Sequence, residues 1–429
     1  MPVVNTKASA ASVPAPASTH RAALAVMTTL FFMWGFVTVL NDVLVPHLKS
    51  IFDLSYAKVM LIQFAFFSAY FIFSIPSAKV LDAIGYKRTI VVGLLTMAAG
   101  ALLFIPAASV PSFPLFLGAL MVLAAGITAL QVAANPYVAV LGPAETASSR
   151  LNLAQAFNSL GTTIGPYLGG LFILSAVPVA IEVVRKMSPA ELQAYRIQVA
   201  SSVKLPYLGI AVLLILLAVT IGLFKLPPIP GAEKHGAAVA AKSLFKYRQL
   251  VLGCVAIFVY VGAEVSIGSF LINYFGQPDI GNLTPAVAAR YVAYYWGGAM
   301  VGRFVGSAIL QKVRTGTVLG IAAFVAAILV CASMLTFGHV AMWTILLVGF
   351  FNSIMFPSIF TLGIAELGPL TGDGSGLLIM AIVGGAIIPL LQGVVADHLG
   401  IHHAFFLPVV CYLYIVYYAL RGSKPTVTA

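Results

Sequence analysis

Long apolar runs dominate this 429-residue sequence and decide what it can fold into. About twelve of them approach 20 residues, the length that a helix needs to cross a hydrocarbon core of about 30 Å. With 61% hydrophobic and 8% charged residues, the chain carries too little charge for a soluble surface, where about 25% is usual. The runs show no sustained period-2 alternation, so the sequence predicts an all-α integral membrane protein and not a β-barrel. The twelve predicted transmembrane helices are 22–47, 58–81, 89–108, 113–141, 151–176, 204–225, 248–275, 288–311, 316–337, 340–364, 374–396 and 403–421.

Lys and Arg are divided unevenly between the two ends of these spans. The side with both termini carries about fourteen of them and the opposite side about seven. Because positively charged loops stay in the cytoplasm, both termini are expected to be cytoplasmic, in the inner membrane of a bacterium. The formal net charge of +11 follows from this asymmetry and suits anionic lipid headgroups. The lipid bilayer is therefore an expected partner, and nucleic acid is not.

A proline-rich polar segment after the sixth span divides the chain into two halves of six helices. Matching prolines support an internal repeat: Pro136 and Pro357 lie 357 − 136 = 221 residues apart, and Pro166 and Pro389 lie 389 − 166 = 223 apart. The expected organisation is a disordered cytoplasmic tail at 1–21, an N-terminal six-helix half at 22–225, a cytoplasmic linker at 226–247, a C-terminal six-helix half at 248–421 and a cytoplasmic tail at 422–429.

Two six-helix halves in the same orientation are typical of a carrier, with the solute site near the bilayer midplane at their interface. A membrane enzyme would need clustered acids or histidines, and the sequence has neither a paired Asp motif nor H-E-x-x-H. A channel would need a Gly-rich re-entrant filter loop, which the sequence also lacks. No cofactor or metal is expected, because Cys254, Cys331 and Cys411 lie within spans without metal-ligand spacing.

Three ionisable residues lie deep in predicted spans, where each costs about 2.5 to 3.5 kcal/mol on insertion and is a functional candidate. Asp42 and Glu264 lie in the first helix of each half, 264 − 42 = 222 residues apart, and are expected to serve the coupling ion, with Glu264 facing the central cavity. The alternative for both is a buried ion pair or a helix-packing hydrogen bond. For Arg303 a structural role is favoured, because an Arg about two turns from the cytoplasmic end of a span can extend its charge to the interface.

Amide side chains form a second polar group within the spans. Gln131 and Asn135 are four residues apart, and Gln155 and Asn158 are three apart, so each pair shares a helix face. Amides donate and accept hydrogen bonds, as the hydroxyl groups of a sugar require. The alternative is hydrogen bonding between helices. The expected substrate residues are Asn41, Gln131, Asn135, Gln155 and Asn158, with Trp34 and Trp296 as apolar plates for the sugar ring and Tyr294 and Tyr295 as weaker candidates.

The loop between the second and third spans places an acid near two cations. It contains Asp82, Gly85, Lys87 and Arg88 within seven residues, which predicts a tight turn. This arrangement suggests a gate latch. Positive charge that anchors the topology is the other interpretation, and the two are compatible.

Several motifs together resemble a known family. The 82–88 loop resembles the signature loop of the major facilitator superfamily, although Ala78 stands where that pattern has Gly. Four further stretches are similar to the fucose-galactose-glucose:proton symporter family over residues 22–421. They are Leu40-Asn41-Asp42, Ala133-Ala134-Asn135-Pro136-Tyr137, the stretch from Arg150 to Ser159, and Gly374-Ser375-Gly376 leading to Gly384-Gly385-Ala386.

This resemblance implies roles for individual positions. Asp42 matches an essential Asp of the fucose permeases in this family, and Gln155 and Asn158 match amides of the sugar site. The chain also departs from the permease pattern, which puts both fucose and the coupling ion in doubt and favours the glucose/galactose branch. Gln131 stands in place of a Glu, Val39 in place of an Asn, Phe356 in place of a Tyr that lines the cavity, and Glu264 in place of a Gln.

The sequence as a whole predicts a monomeric secondary active transporter that imports a hexose, either glucose or galactose, by proton symport. Asp42 would be the coupling carboxylate, and Phe356 would join the substrate site. A sodium-coupled carrier is the first alternative, with Asp42 or Glu264 as the ion ligand. An N-acetylhexosamine substrate is the second, because Phe356 and Val39 make the pocket less polar. A membrane-embedded enzyme is a distant third.

Overall fold

The computed structural model describes residues 19–52, 56–173, 187–201, 203–227 and 244–425, and their side chains except at 40–52, 56–61, 166–173 and 286. Every regular element in these ranges is helical. The α-helices are α1 Arg21–Phe52, α2 Tyr56–Ser109, α3 Phe113–Val140, α4 Ala147–Ile173, α5 Pro189–Ser201, α6 Lys204–Leu223, α7 Arg248–Phe275, α8 Pro285–Ile309, α9 Thr315–Leu335, α10 Gly338–Asn352, α11 Met355–Gly363, α12 Thr371–Met380, α13 Gly384–Leu399, α14 Ile401–Ala404 and α15 Phe406–Tyr417. Short 3₁₀ turns lie at Ala144–Thr146, Gly368–Leu370 and Ala381–Val383, and a π-turn at Tyr418–Gly422.

Helix α2 contains two membrane spans. Its 54 residues would extend about 80 Å at 1.5 Å per residue, far more than one bilayer crossing needs. The backbone leaves the helical region at Gly85, with φ 78° and ψ 169°, a conformation that glycine adopts without steric cost. The predicted second and third spans therefore meet at Gly85, inside the loop expected to be a tight turn.

The described helices supply the twelve expected spans. Nine stretches of helix among the described residues are long and apolar enough to cross a bilayer, and one of these contains both spans of α2. Helices α4 and α8 complete the set, although their composition is more polar than that of the nine. These two helices pack against each other across the boundary between the halves. These two more polar spans therefore face protein and not only lipid.

Close helix contact in the N-terminal half depends on glycine. A Cβ atom at Gly35 of α1 would lie 2.2 Å from the Asn158 carbonyl oxygen of α4, and one at Gly161 of α4 would lie 2.2 Å from the Phe32 carbonyl oxygen of α1. Small residues that let two backbones approach this closely are the usual basis of helix association in membranes. Helices α1 and α4 thus touch along their main chains.

The two halves meet on one side of the bundle, here called the terminal face: the side on which α1 begins and the π-turn Tyr418–Gly422 ends. There Ser148 Oγ lies 2.5 Å from Thr361 Oγ1, and Ser149 Oγ donates to the Ser307 carbonyl oxygen at 2.7 Å. Each pair joins α4 of the N-terminal half to a helix of the C-terminal half. The terminal face is therefore closed in this structure.

Several boundaries expected from sequence are refined or lie outside the described residues. Helix α5 occupies a segment that was expected to connect two spans, and the tenth and eleventh spans are each interrupted, at 353–354 and at the 3₁₀ turn Ala381–Val383. Most of the predicted linker, 228–243, and most of the predicted first tail, 1–18, are outside the description. The domain boundaries stay predictions.

Replacing Gly161 by Ala should destabilise the protein by about 1 to 3 kcal/mol, the usual cost of overpacking, because the added Cβ meets the α1 main chain. The matched control is Gly209→Ala in α6, where a Cβ would meet nothing within 4 Å. That change should be neutral or stabilising, since Ala exceeds Gly in helix propensity by about 1 kcal/mol. Thermal unfolding of the purified protein in detergent measures both. Equal Tm values for the two variants would contradict the tight α1–α4 contact.

Candidate functional site

Arg303 of α8 joins the two halves at the centre of their interface. Its Nη1 donates to the Gln155 carbonyl oxygen at 3.2 Å and to Ser159 Oγ, both on α4, while its Nε donates to the Ser353 carbonyl oxygen at 3.3 Å. The expectation that this side chain extends to the membrane interface is wrong, because its guanidinium group is directed into the protein. A delocalised guanidinium with fixed donors suits such a multiple contact better than a lysine ammonium would.

The carbonyl group that receives Arg303 Nε is free because of a proline. In a continuous helix the Ser353 oxygen would accept from the residue four positions later, which is Pro357 and has no N–H. An unsatisfied carbonyl inside a membrane protein is costly, so another donor is needed. Arg303 supplies it. Pro357 thus leaves the carbonyl oxygen at the interruption 353–354 without a helical donor, and Arg303 is placed to bind it.

The matching proline in the N-terminal half has the same effect. Pro136 leaves the Val132 carbonyl oxygen without its helical donor, and Ser375 Oγ of α12 donates to that oxygen at 2.9 Å. Because Val132 belongs to one half and Ser375 to the other, this bond also joins the halves. Pro136 and Pro357, one of the two matched pairs in the sequence repeat, therefore each create an acceptor that a residue at the interface satisfies.

Glu264 of α7 belongs to a hydrogen-bonded cluster in the C-terminal half. The Tyr260 hydroxyl lies 2.8 Å from Glu264 Oε1 and 3.1 Å from the Asn352 carbonyl oxygen, so its one proton serves two acceptors. Asn352 Nδ2 donates to the Tyr295 hydroxyl at 2.8 Å. Glu264 remains partly accessible, and its charge interacts with that of Arg303. Among the described residues the two form no direct ion pair.

The amides of the N-terminal half have different surroundings. Gln131 Nε2 donates to the Tyr70 hydroxyl at 2.8 Å, and Asn158 Nδ2 donates to the Phe31 carbonyl oxygen at 3.0 Å. Asn135 is fully buried, and neither atom of its amide has a partner among the described residues. The Gln155 amide likewise makes no hydrogen bond within the part of the chain that the structure describes. Gln155 and Asn135 thus keep their hydrogen-bonding capacity for another group.

The aromatic candidates Trp34, Phe356 and Trp296 lie in unequal environments. Trp34 is buried against Phe31, with ring centroids 5.1 Å apart, and Phe356 is buried against Phe360 at 6.0 Å. Trp296 is 44% exposed and packs on Gly268 of α7. It lies on the same face of α8 as Arg303, seven residues earlier, which places it farther from the terminal face. Trp296 is therefore the one of these three whose ring is partly exposed in this state.

The side chains of Asn41 and Asp42 lie outside the described residues, although the structure places both positions on α1. Their predicted roles in substrate binding and ion coupling stay predictions. Both residues follow the Gly35 contact on α1, so they lie on the helix that packs along α4.

The loop at Gly85 approaches the other half of the protein. Asp82 Oδ1 lies 2.9 Å from the position that a Cβ atom of Gly372 would occupy, and the Asp82 side chain also interacts with that of Asp373. Gly372 and Asp373 both belong to the first turn of α12. Lys87 is half-buried and Arg88 is exposed. Asp82 thus lies where a latch between the halves must lie, and that role stays a prediction.

Sequence reasoning missed several residues that the structure brings into this region, among them Tyr70, Tyr260, Asn352 and Ser353. One signal was available, because a proline four residues after Ser353 identifies its carbonyl oxygen as an acceptor in need of a donor. The tyrosines gave no such signal, since most aromatic residues in spans pack against lipid or neighbouring helices. Within the described residues no group of three or more His, Cys, Asp or Glu could hold a metal ion.

Comparison with known proteins gives consistent relationships over nearly the whole chain. Residues 23–388 match the family model of the Major Facilitator Superfamily. The glucose/galactose transporter of Brucella abortus is 53% identical over 402 residues, which cover 94% of each chain. The L-fucose-proton symporter of Escherichia coli is 38% identical over 407 residues, 93% of each chain. The crystal structure of the transporter FucP in the outward conformation matches with a TM-score of 0.88 and 37% identity, covering 94% of this chain and 99% of that one.

These relationships agree with the helical architecture and with the resemblance seen in the motifs. The relatives are transporters, so the protein is a multi-pass membrane transporter and not an enzyme. The similarity to FucP covers 94% of this chain and therefore extends over both halves. The chain belongs to the major facilitator superfamily and, within it, to the fucose-galactose-glucose:proton symporter family.

Proposed function

We propose that this protein imports a hexose, glucose or galactose, together with a proton across the inner membrane of a bacterium. It works as a monomer with both termini in the cytoplasm. The observation that carries the proposal is the position of Arg303 between the halves, where it donates to the Gln155 carbonyl oxygen of α4 and interacts electrostatically with the Glu264 carboxylate of α7. The named functions of the relatives support a sugar substrate, and the L-fucose-proton symporter supports the proton.

Sugar recognition in this proposal depends on the amides of α3 and α4. Gln155 and Asn135 have unused donors and acceptors among the described residues, and sugar hydroxyls can satisfy both kinds. Asn158 uses its Nδ2 on α1 and leaves its oxygen as an acceptor. Trp296 offers a partly exposed ring for the apolar face of the sugar. These four residues, with Asn41, Gln131, Trp34 and Phe356, form the proposed substrate site.

Ion coupling is assigned to carboxylates in the first helix of each half. An ionised carboxylate within a span is costly, so Asp42 can take up a proton from one side and release it to the other as the halves rock. Glu264 supplies a second negative charge at the interface. The closed terminal face corresponds to a state open towards the periplasm, in keeping with the outward conformation of FucP. Asp82, Gly85, Lys87 and Arg88 hold that face closed.

A sodium-coupled version of the same carrier is the second candidate. The observation in its favour is Glu264, which adds a carboxylate where the fucose permeases have an amide. Uptake of labelled sugars by proteoliposomes, with a proton gradient or a sodium gradient imposed separately, decides between the two ions. A panel with glucose, galactose, fucose and N-acetylglucosamine identifies the substrate, and no accumulation of any of them under either gradient would refute sugar symport.

Replacing Asp42 by Asn should abolish accumulation of sugar against a gradient, because the amide keeps the shape and polarity of the site but cannot exchange a proton. Exchange of labelled for unlabelled sugar across the membrane should persist, since that process needs no net proton movement. Proteoliposome uptake with and without an imposed proton gradient measures both. Full accumulation by the variant would end the assignment of Asp42 as the coupling residue.

Gln155→Ala and Asn158→Ala should each weaken sugar binding by about 1 to 3 kcal/mol, the cost of leaving a polar partner unsatisfied. Asn158→Ala should also lower thermal stability, because it removes the hydrogen bond to the Phe31 carbonyl oxygen. Gln277→Ala is the matched control, an exposed glutamine beyond the end of α7. Equilibrium binding of the transported sugar to purified protein measures the effect. Unchanged affinity in both variants would show that these amides do not bind the sugar and have a purely structural role.

A further inference from the structure

We propose that Arg303 exchanges partners during transport, from α4 in the closed state of the terminal face to Glu264 when that face opens. This inference rests on the proposed function only in requiring that the two halves separate at the terminal face. It makes Arg303 a positioning residue, which couples the interface between the halves to a charge inside the C-terminal half. Four features of the structure carry it.

Arg303 has a fixed point within its own half. Its Nε donates to the Ser353 carbonyl oxygen, which Pro357 leaves without a helical donor, and all three residues belong to the C-terminal half. This bond need not break when the halves separate. It anchors the guanidinium group in the C-terminal half, and the planar group can reorient as a whole about this bond once the Nη1 contacts are lost.

The contacts of Nη1 lie in the other half and must break. They are made to the Gln155 carbonyl oxygen and to Ser159 Oγ, both on α4. Along the same face of α8, Ser307 contacts Ser149 and Met300 contacts Thr163. Arg303 therefore lies in the middle of the surface along which α8 and α4 meet, and separation of these helices removes its partners.

A cation released inside a membrane protein needs a new partner, because an unpaired charge there is very costly. Among the residues whose side chains the structure describes, Glu264 is the acid within a span that interacts with Arg303. The titratable or charged groups that interact with Glu264 are Tyr260 of α7, Tyr295 and Arg303 of α8 and Tyr412 of α15, so Arg303 is the one cation among them in the described residues.

The present geometry leaves room for this exchange. Glu264 and Arg303 interact electrostatically but form no direct ion pair in the described structure, and both side chains are partly accessible. Tyr260 donates to one oxygen of the carboxylate, which leaves the other for a guanidinium group. Glu264 is thus near enough to attract Arg303 and is not yet bound to it. A residue shifts the equilibrium between the closed and open states only when it interacts differently with the two. In this proposal Glu264 does so, because it binds Arg303 only in the open state.

Distances between spin labels in nanodiscs test the proposal without sugar. Labels at Glu145→Cys and Lys312→Cys, exposed positions at the terminal face in different halves, report opening, and labels at Glu145→Cys and Lys225→Cys within one half are the control pair. Cys254, Cys331 and Cys411 are replaced by Ala in every variant. The measured quantity is the ratio of the long to the short distance population between the halves.

Glu264→Gln should lower this ratio about three- to tenfold, the factor that one net hydrogen bond contributes, because Arg303 then lacks its partner in the open state. Arg303→Leu should raise the ratio, since the bonds to α4 are lost, and Ser159→Ala should raise it less while preserving the charge. In the Arg303→Leu background, Glu264→Gln should have no further effect. Loss of the Glu264→Gln effect when Arg303 is absent distinguishes partner exchange from a general structural role of Glu264.

Three results would overturn the proposal: an unchanged ratio in Glu264→Gln, an equal effect of Glu264→Gln with and without Arg303, or no rise in either Arg303→Leu or Ser159→Ala. Should Arg303→Leu not fold, Arg303→Gln, which removes the charge and keeps a hydrogen-bond donor, gives the same comparison. Because the measurement uses no substrate, a failure here leaves sugar symport intact. A failure of sugar uptake with these shifts present rejects the symport function and keeps the exchange.

Discussion

A backbone carbonyl group inside a bilayer must find a donor within the protein, and this requirement organises the interface between the two halves. Pro136 and Pro357 each remove a helical N–H and leave an acceptor, at Val132 and at Ser353. Ser375 satisfies the first acceptor from the opposite half, and Arg303 satisfies the second from a neighbouring helix. The two prolines thus do more than bend helices, since they determine where polar side chains attach.

The polar composition of α4 and α8 follows from the same requirement. Helices with fewer apolar residues are less favourable next to lipid, and these two bury polar groups against each other. Ser149, Ser159 and the Gln155 carbonyl oxygen of α4 meet Ser307 and Arg303 of α8. Hydrogen bonds of this kind are worth about 0.6 kcal/mol each on average in membrane proteins, which is weak enough to be broken and remade. An interface made of such bonds can hold one state without trapping it.

Much of this architecture could be predicted from the sequence, because span length and composition depend on the bilayer alone. The twelve spans, the reversal near Gly85 and the depth of Glu264 and Arg303 all follow from that argument. What sequence cannot provide is the direction of a side chain around its helix relative to a partner far away in the chain. Arg303 therefore turned out to face α4, and Gln131 to donate to Tyr70. Asn158 uses one end of its amide for helix packing, which is the alternative that the sequence left open.

The glycine contacts between α1 and α4 have a consequence for how force passes through the N-terminal half. At Gly35 and Gly161 main chain lies against main chain, so at these two points little space remains for one helix to move without the other. Helices α1 and α4 must then move together as one rigid unit. Arg303 pulls on α4 at Gln155 and Ser159, and α1 carries the position of Asp42. Any rotation imposed on α4 from the C-terminal half is consequently passed to the backbone of α1, the helix that carries position 42.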